Sequence, residues 1–84
     1  MAARLGIGVV GLGRMGAMHA RYVARVVAGA KVVALADFDT DRARAIGGEL
    51  DVVNVFASAA ELAACPEVEE VLAFIAASER GFVK

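Results

Sequence analysis

Four short apolar runs punctuate the chain, and amphipathic patterns fill the spaces between them. Leu5–Val10 (LGIGVV), Lys31–Ala36 (KVVALA), Val52–Phe56 (VVNVF) and Val71–Ala76 (VLAFIA) are rich in valine, leucine, isoleucine or phenylalanine. They show little polar alternation. Strands covered on both faces look this way, as in parallel sheets. Each run is therefore predicted to be a strand.

The intervening segments carry helical spacing. From Arg14 to Ala28, Met15, Met18, Tyr22, Val23 and Val26 fall on one arc, and Arg14, Arg21 and Arg25 on the opposite one. This predicts an amphipathic helix with a solvated arginine stripe, stopped by Gly29. A second helix opens in DFDTDRARAI, with Asp39 or Thr40 as its cap and Ala43, Ile46 and Leu50 as its apolar stripe. Gly47 and Gly48 weaken its end. A third begins at Ser58, where Ser58 and Glu61 have capping-box spacing, and closes at Pro66. The order β-α-β-α-β-α-β with short connections predicts an α/β domain. With right-handed crossovers, the expected fold is a partial doubly wound parallel sheet of Rossmann type, with about four strands and three helices.

Composition narrows the classes of function. The chain has 84 residues, so it is one domain or part of one, and 60% of it is hydrophobic. A formal net charge of −1 and scattered arginines give no reason to expect nucleic-acid binding. No segment approaches the roughly 18 apolar residues needed to span a membrane. The early apolar run MAARLGIGVVGLG is broken by glycines and reads as a first strand rather than a signal peptide. Cys65 is the single cysteine, which suits a reducing cytoplasm and excludes an internal disulfide. With one histidine, His19, and no cysteine cluster, a metal site is not expected.

The candidate chemistry lies where the first strand becomes the first helix. Gly11-x-Gly13-x-x-Gly16 has the form of a dinucleotide-binding turn. Gly11 would allow the tight turn, Gly13 the close approach of a pyrophosphate, and Gly16 tight helix–sheet packing. The phosphates would face free N–H groups at a helix N-terminus. Asp37 follows at the end of the second strand, about 20 residues on, where an acid accepts hydrogen bonds from the adenosine ribose. Its carboxylate favours NAD over NADP. Arg14, Arg42 and Arg44 argue the other way, since an arginine near the ribose would tolerate a 2′-phosphate. For Arg14 and Arg44 a solvated face is the better reading, and the alternative for Arg42 is a place in the first turn of its helix. Phe38 either lies against adenine or packs in its loop. His19 falls within the apolar arc of the first helix, where a packing role is preferred to ligand contact. The candidate cofactor-binding set is Gly11, Gly13, Arg14, Met15, Gly16, Asp37 and Phe38. No catalytic residue is assigned.

The stretch IGVVGLGRMGAMHARYVARVVAGAKVVALADFDTDRARAI resembles the N-terminal domain of the Gfo/Idh/MocA family of oxidoreductases, and its inositol dehydrogenases in particular. The shared features are Gly11, Gly13 and Gly16, His19 and Ala20 after them, VVALAD ending in Asp37, and SAAELAACPEVEEVLAFIAAS later in the chain. The resemblance spans about Leu5 to Ser78. It implies NAD(P)-dependent oxidation of a sugar or cyclitol hydroxyl, and homo-oligomers built through a second, C-terminal α/β domain. It also implies a Thr-His pair and a Glu-Lys-Pro strand after strand four, with a lysine that assists catalysis and an Asp/His pair in the second domain. AASERGFVK, ending at Lys84, does not carry these in register. The expectation is that residues 1–84 form an incomplete N-terminal dinucleotide-binding domain without its catalytic half, inactive alone. Two alternatives stay open: a stand-alone nucleotide-binding module or non-functional gene fragment, and the start of a different Rossmann enzyme.

Overall fold

The computed structural model describes residues 4–73. The element order is β1 (Leu5–Val10), α1 (Arg14–Arg25), β2 (Ala30–Ala36), α2 (Thr40–Leu50), β3 (Val55–Phe56), α3 (Ala59–Ala63) and β4 (Glu70–Ala73). All strand pairs are parallel, and the sheet order is β3-β2-β1-β4. One core, built on Ile7, Val9, Val32 and Leu35, is covered by Ala17 and Ala20 of α1 and by Ala43 and Ile46 of α2. A second, built on Ala34 and Ala36, is covered by Leu62 of α3. Helices thus lie on both faces of the sheet, which is the doubly wound arrangement expected.

Val32 and Leu35 share the first core although they are an odd number of residues apart. The β1–β2 register shifts between Ile7 and Gly8, which pair with Val32 and Ala34, so Val33 is the extra residue. Val33 and Ala34 both pack in the second core. The side amide of Asn54 ties the irregularity down by donating to the Val33 carbonyl at 2.9 Å. On the second face, a Cβ at Gly8 would lie 2.5 Å from Leu62 Cδ2. The missing side chain is what lets α3 rest on β1.

Several boundaries differ from the sequence reading. α1 ends at Arg25 rather than Ala28, and Gly29 lies beyond it in a turn, where its carbonyl accepts from the Leu5 N–H at 2.9 Å. β3 is confined to Val55–Phe56. Val52 is instead a buried residue whose N–H returns to the Gly47 carbonyl, and Val53 is 91% exposed. β4 starts at Glu70, and Phe74, Ile75 and Ala76 of the expected fourth strand lie outside the described residues, as does the terminal segment with Lys84. α2, by contrast, runs through Gly47 and Gly48 to Leu50, the last residue of its expected stripe. Its cap is Asp51, which takes up the left-handed conformation with φ 61°. The capping residues follow expectation: Asp39 accepts from the Arg42 N–H, and Ser58 from the Glu61 N–H.

The largest correction concerns α1. Its expected apolar arc is not its buried face. Met15, Met18, Tyr22 and Val26 are all more than half exposed, and of the arc only Val23 packs against the core. Gly16, Ala17 and Ala20 are buried instead. These small residues allow the helix axis to lie close to the sheet, where bulky side chains would hold it away. Bulk marks hydrophobicity in a sequence, but close approach selects smallness. The arginine stripe is not simply solvated either: Arg21 and Arg25 both donate to Glu49 of α2, at 2.6 Å and 2.9 Å. They clip the two helices of that face together.

Candidate functional site

β1 runs out at Val10, and the chain turns at Gly11 with φ 87°. A side chain there would collide with the adjoining carbonyl, so the turn requires glycine. The Gly11 N–H donates to the Ala36 carbonyl at 2.9 Å, which fixes the turn to the end of β2. Leu12 is fully buried in the core beneath α1 and α2. Its own N–H donates to Asp37 Oδ2 at 2.5 Å.

Gly13 then caps α1 in extended conformation, and its carbonyl accepts the first helical bond from the Ala17 N–H at 2.8 Å. No side chain caps this helix, and its first turn holds no acid. The first N–H groups of a helix have no acceptor within it. They carry the positive end of the helix dipole, about half an elementary charge. A Cβ at Gly13 would meet no atom within 4 Å, so the space in front of this turn is open. Arg14 and Met15 are exposed beside it, and Gly16 is buried on the sheet side.

Asp37 lies beside the turn, immediately after β2. It is the buried charged residue among the described residues, 8% exposed. Burial alone would push its carboxyl up. Hydrogen bonds from the backbone N–H groups of Leu12 and Asp39, together with the Arg42 guanidinium, outweigh this and hold it below the usual carboxylate range. Asp39 N–H reaches Oδ1 at 2.8 Å, and Arg42 Nη2 reaches the same oxygen at 3.4 Å. Phe38, next in the chain, is 86% exposed, so the packed alternative for it does not hold.

The structure therefore brings all seven sequence candidates to the carboxyl end of β1 and β2. Two features were not anticipated. One is the bond from Leu12 to Asp37, for which no local sequence signal exists, because it spans two loops that only the sheet makes neighbours. The other is the pairing of Arg42. Arg42 does sit in the first turn of α2, as one of its two readings had it, and its guanidinium pairs with Asp37, whereas Arg44 pairs with Asp41. His19 is half-buried on α1.

The site also falls at a particular point of the topology. From β1 the chain moves to β2 and β3 on one side, then crosses back to place β4 on the other. Ligands of open α/β sheets bind outside the carboxyl ends of the strands at such a reversal.

The Gfo/Idh/MocA profile, described as an oxidoreductase family with an NAD-binding Rossmann fold, matches residues 5–81. The chain belongs to this family. Within the family it is 47% identical over 68 residues to the inositol 2-dehydrogenase of Agrobacterium fabrum, a match covering 79% of this chain and 20% of that protein. Among solved structures, apo scyllo-inositol dehydrogenase from Lactobacillus casei superposes with a TM-score of 0.84 at 27% identity, over 90% of this chain and 23% of that one. The myo-inositol dehydrogenase of the same organism, solved in complex with NAD(H) and myo-inositol, gives a TM-score of 0.78 at 29% identity, over 84% of this chain and 21% of that one. The chain thus spans about a fifth of the length of the relatives it matches.

Proposed function

We propose that this chain is the NAD-binding part of a dehydrogenase that takes hydride from a CH–OH group of a cyclitol or sugar. The observation that carries the reading is the uncapped N-terminus of α1 behind the positive-φ turn at Gly11, opening onto free space at Gly13. Such an end fits a pyrophosphate, because anions are stabilised by unpaired N–H groups and the helix dipole. Gly13 would let the phosphates approach the backbone, and the N–H groups of Arg14, Met15 and Gly16 would face them. The Arg14 side chain adds positive charge at the same end. Asp37 fits the ribose: it is held ionised, and a carboxylate has about four acceptor positions, so oxygens already bonded to N–H groups can still accept from hydroxyls. Phe38, nearly fully exposed beside it, offers an apolar face for adenine.

When bound, NAD supplies the hydride acceptor; what this chain supplies is binding and orientation. Removal of the hydroxyl proton needs a base against the substrate. No described residue is assigned that role, and turnover on this reading requires the rest of a family-length protein. The substrate class rests on the inositol dehydrogenases among the relatives. Assembly as a homo-oligomer and a cytoplasmic setting belong to the same proposal and rest on family resemblance and the single cysteine. No helix among the described residues is long and apolar enough to cross a membrane.

A chimera tests the proposal. Residues 5–73 replace the matching segment of the Agrobacterium fabrum enzyme, and NAD reduction is followed with myo-inositol and a panel of sugars. The reading expects turnover that Gly13→Val abolishes. A folded chimera that binds no NAD, or whose turnover is indifferent to Gly13→Val, contradicts it.

A further inference from the structure

We propose that Asn54 is a positioning residue for the cofactor site: by holding the irregularity at Val33, it sets the face and register at which β2 delivers Asp37 to the turn at Gly11. The inference rests on the reading of Asp37 as the ribose acceptor and goes beyond it, to a residue outside the site. Side chains of a strand alternate between the two faces of its sheet. Val32 packs in the first core. Strict alternation from there would send Ala34 and Ala36 to the first core, and Leu35 and Asp37 to the opposite face. The structure has the reverse: Leu35 lies in the first core, and Ala34 and Ala36 in the second. Asp37 accordingly meets the N–H of Leu12, itself a residue of the first core. The extra residue also moves the register by one. Ile7 pairs with Val32, but Val10 pairs with Ala36 rather than Leu35, and the Gly11 N–H finds the Ala36 carbonyl. In a regular ladder Asp37 would overshoot the turn by about 3.3 Å and fall on the other face.

The run VVALA offers apolar side chains to both faces in either register, so its hydrophobicity alone does not select one. Something else must hold the bulge. Val33 pairs in neither ladder: β1 skips it, and β3 begins opposite Leu35. The extra residue of a bulge is left out of the ladder, and a backbone carbonyl deprived of a partner costs free energy. The Asn54 side amide supplies that partner, donating to the Val33 carbonyl at 2.9 Å. The backbone carbonyl of Asn54 accepts from the Leu35 N–H at 2.9 Å, so one residue grips β2 on both sides of Ala34. Glu67 Oε1 accepts from the same Nδ2 at 3.0 Å, which turns the donor end of the amide toward Val33. An amide nitrogen has two hydrogens, one for each acceptor. Bulges recur beside active sites, where they re-aim a side chain. The side chain re-aimed here is that of Asp37, four residues and roughly 13 Å further along the strand.

The test uses the 84-residue chain. Asn54→Ala removes the donor, and Asn54→Asp keeps the size of the side chain but puts an acceptor in its place. Each is made in the unchanged chain and in one with Val33 deleted. The deletion turns β2 into a regular strand with Leu35 and Asp37 still on their present faces, so it needs no brace. NMR gives three readouts: cross-strand NOEs that place Val10 beside Ala36 or beside Leu35, the Leu12 amide proton, shifted downfield by its carboxylate acceptor, and NAD affinity. Thermal melts verify folding, and Ser58→Ala, which removes a cap elsewhere, controls for lost stability. In the unchanged chain either Asn54 variant should weaken NAD by about tenfold or more, the worth of one charge-assisted hydrogen bond. The Leu12 signal should move upfield and the Val10–Ala36 NOEs should disappear. In the deletion background the same variants should be silent, and Ser58→Ala should alter none of the three readouts. The proposal is overturned if the Asn54 variants keep the Leu12 signal and the affinity of the unchanged chain. It is equally overturned if they lower affinity alike in both backgrounds, which marks a role in stability alone. If the variants unfold the unchanged chain, the deletion decides: a fold regained with the Leu12 signal intact supports the proposal, and a chain still unfolded contradicts it. If the deletion itself does not fold, the contrast with Ser58→Ala decides. Should NAD shift no amide of the Gly11–Gly16 turn, the assignment of the site fails instead, and the NOEs and the Leu12 signal still report on the register.

Discussion

The N-termini of α1 and α2 lie at the same end of the sheet and solve the same electrostatic problem in opposite ways. At α2 the chain satisfies itself: Asp39 accepts from the Arg42 N–H, and Asp41 adds a second carboxylate in the first turn. At α1 there is a glycine in the capping position, no acid in the first turn, and an arginine as the first helical residue. Unpaired N–H groups and dipole are answered from within in one helix and left unanswered in the other. An end that costs stability when bare persists where something else comes to cover it. On the proposed reading, the difference between the two helices separates a structural cap from a cofactor-binding end within one small domain.

The comparison breaks most sharply at Gly13. Gly13→Val places a side chain in open space, so folding should change by less than about 1 kcal/mol, the scale of an N-cap. NAD affinity should fall by roughly a hundredfold or more, since two charge-assisted bonds to phosphate are worth about 3 kcal/mol together. Calorimetric titration beside a thermal melt checks both. Comparable losses in stability and affinity would mean that Gly13 is a folding residue and not a site residue.

Asp37 should show both effects at once. Asp37→Ala leaves the buried Leu12 N–H without its acceptor, and denaturant unfolding should register a loss of about 1–3 kcal/mol. Asp39→Ala, by contrast, removes a cap alone. Its expected cost is about 1 kcal/mol, with NAD affinity retained. If Asp39→Ala weakened NAD as strongly as Asp37→Ala, the contrast between cap and site would collapse.

The smallest effect is with pH. The carboxyl of Asp37 is held below its ordinary value in the folded chain. A group depressed in this way adds stability that is complete above the unfolded value, near pH 4. That stability is lost as the pH falls through the lower, folded value. An acid melt of the unchanged chain should therefore fall more steeply below about pH 4 than that of Asp37→Asn. Parallel curves would show that Asp37 is not held ionised by its neighbours.

The glycine turn and the acid could be read from the sequence because each reflects a local requirement: a positive φ at Gly11, room at Gly13, a carboxylate after a strand. The doubly wound parallel sheet followed from the alternation of strands and helices and from connection rules, whereas the order β3-β2-β1-β4 is seen only in the structure. The buried face of α1 could not be read in the same way. Met15, Met18, Tyr22 and Val26 carry the hydrophobic signal, but Gly16, Ala17 and Ala20 carry the packing, and the distance between helix and sheet is a tertiary quantity. The short β3 was misjudged for a related reason. Val52 and Val53 look like strand, yet the turn closing α2 takes Val52 into the core and leaves Val53 outside. The tie between Leu12 and Asp37 joins two loops far apart in sequence, and no spacing announces it.

The most direct measurement is an NMR titration of NAD into the unchanged chain, with amide shifts assigned across residues 4–73. The account predicts that the largest changes fall on Leu12 to Gly16 and on Asp37 and Phe38, while the first turn of α2 at Thr40 and Asp41, already capped, moves little. Shifts that spread equally over the N-termini of α1 and α2, or that avoid the Gly11–Gly16 turn, would contradict it.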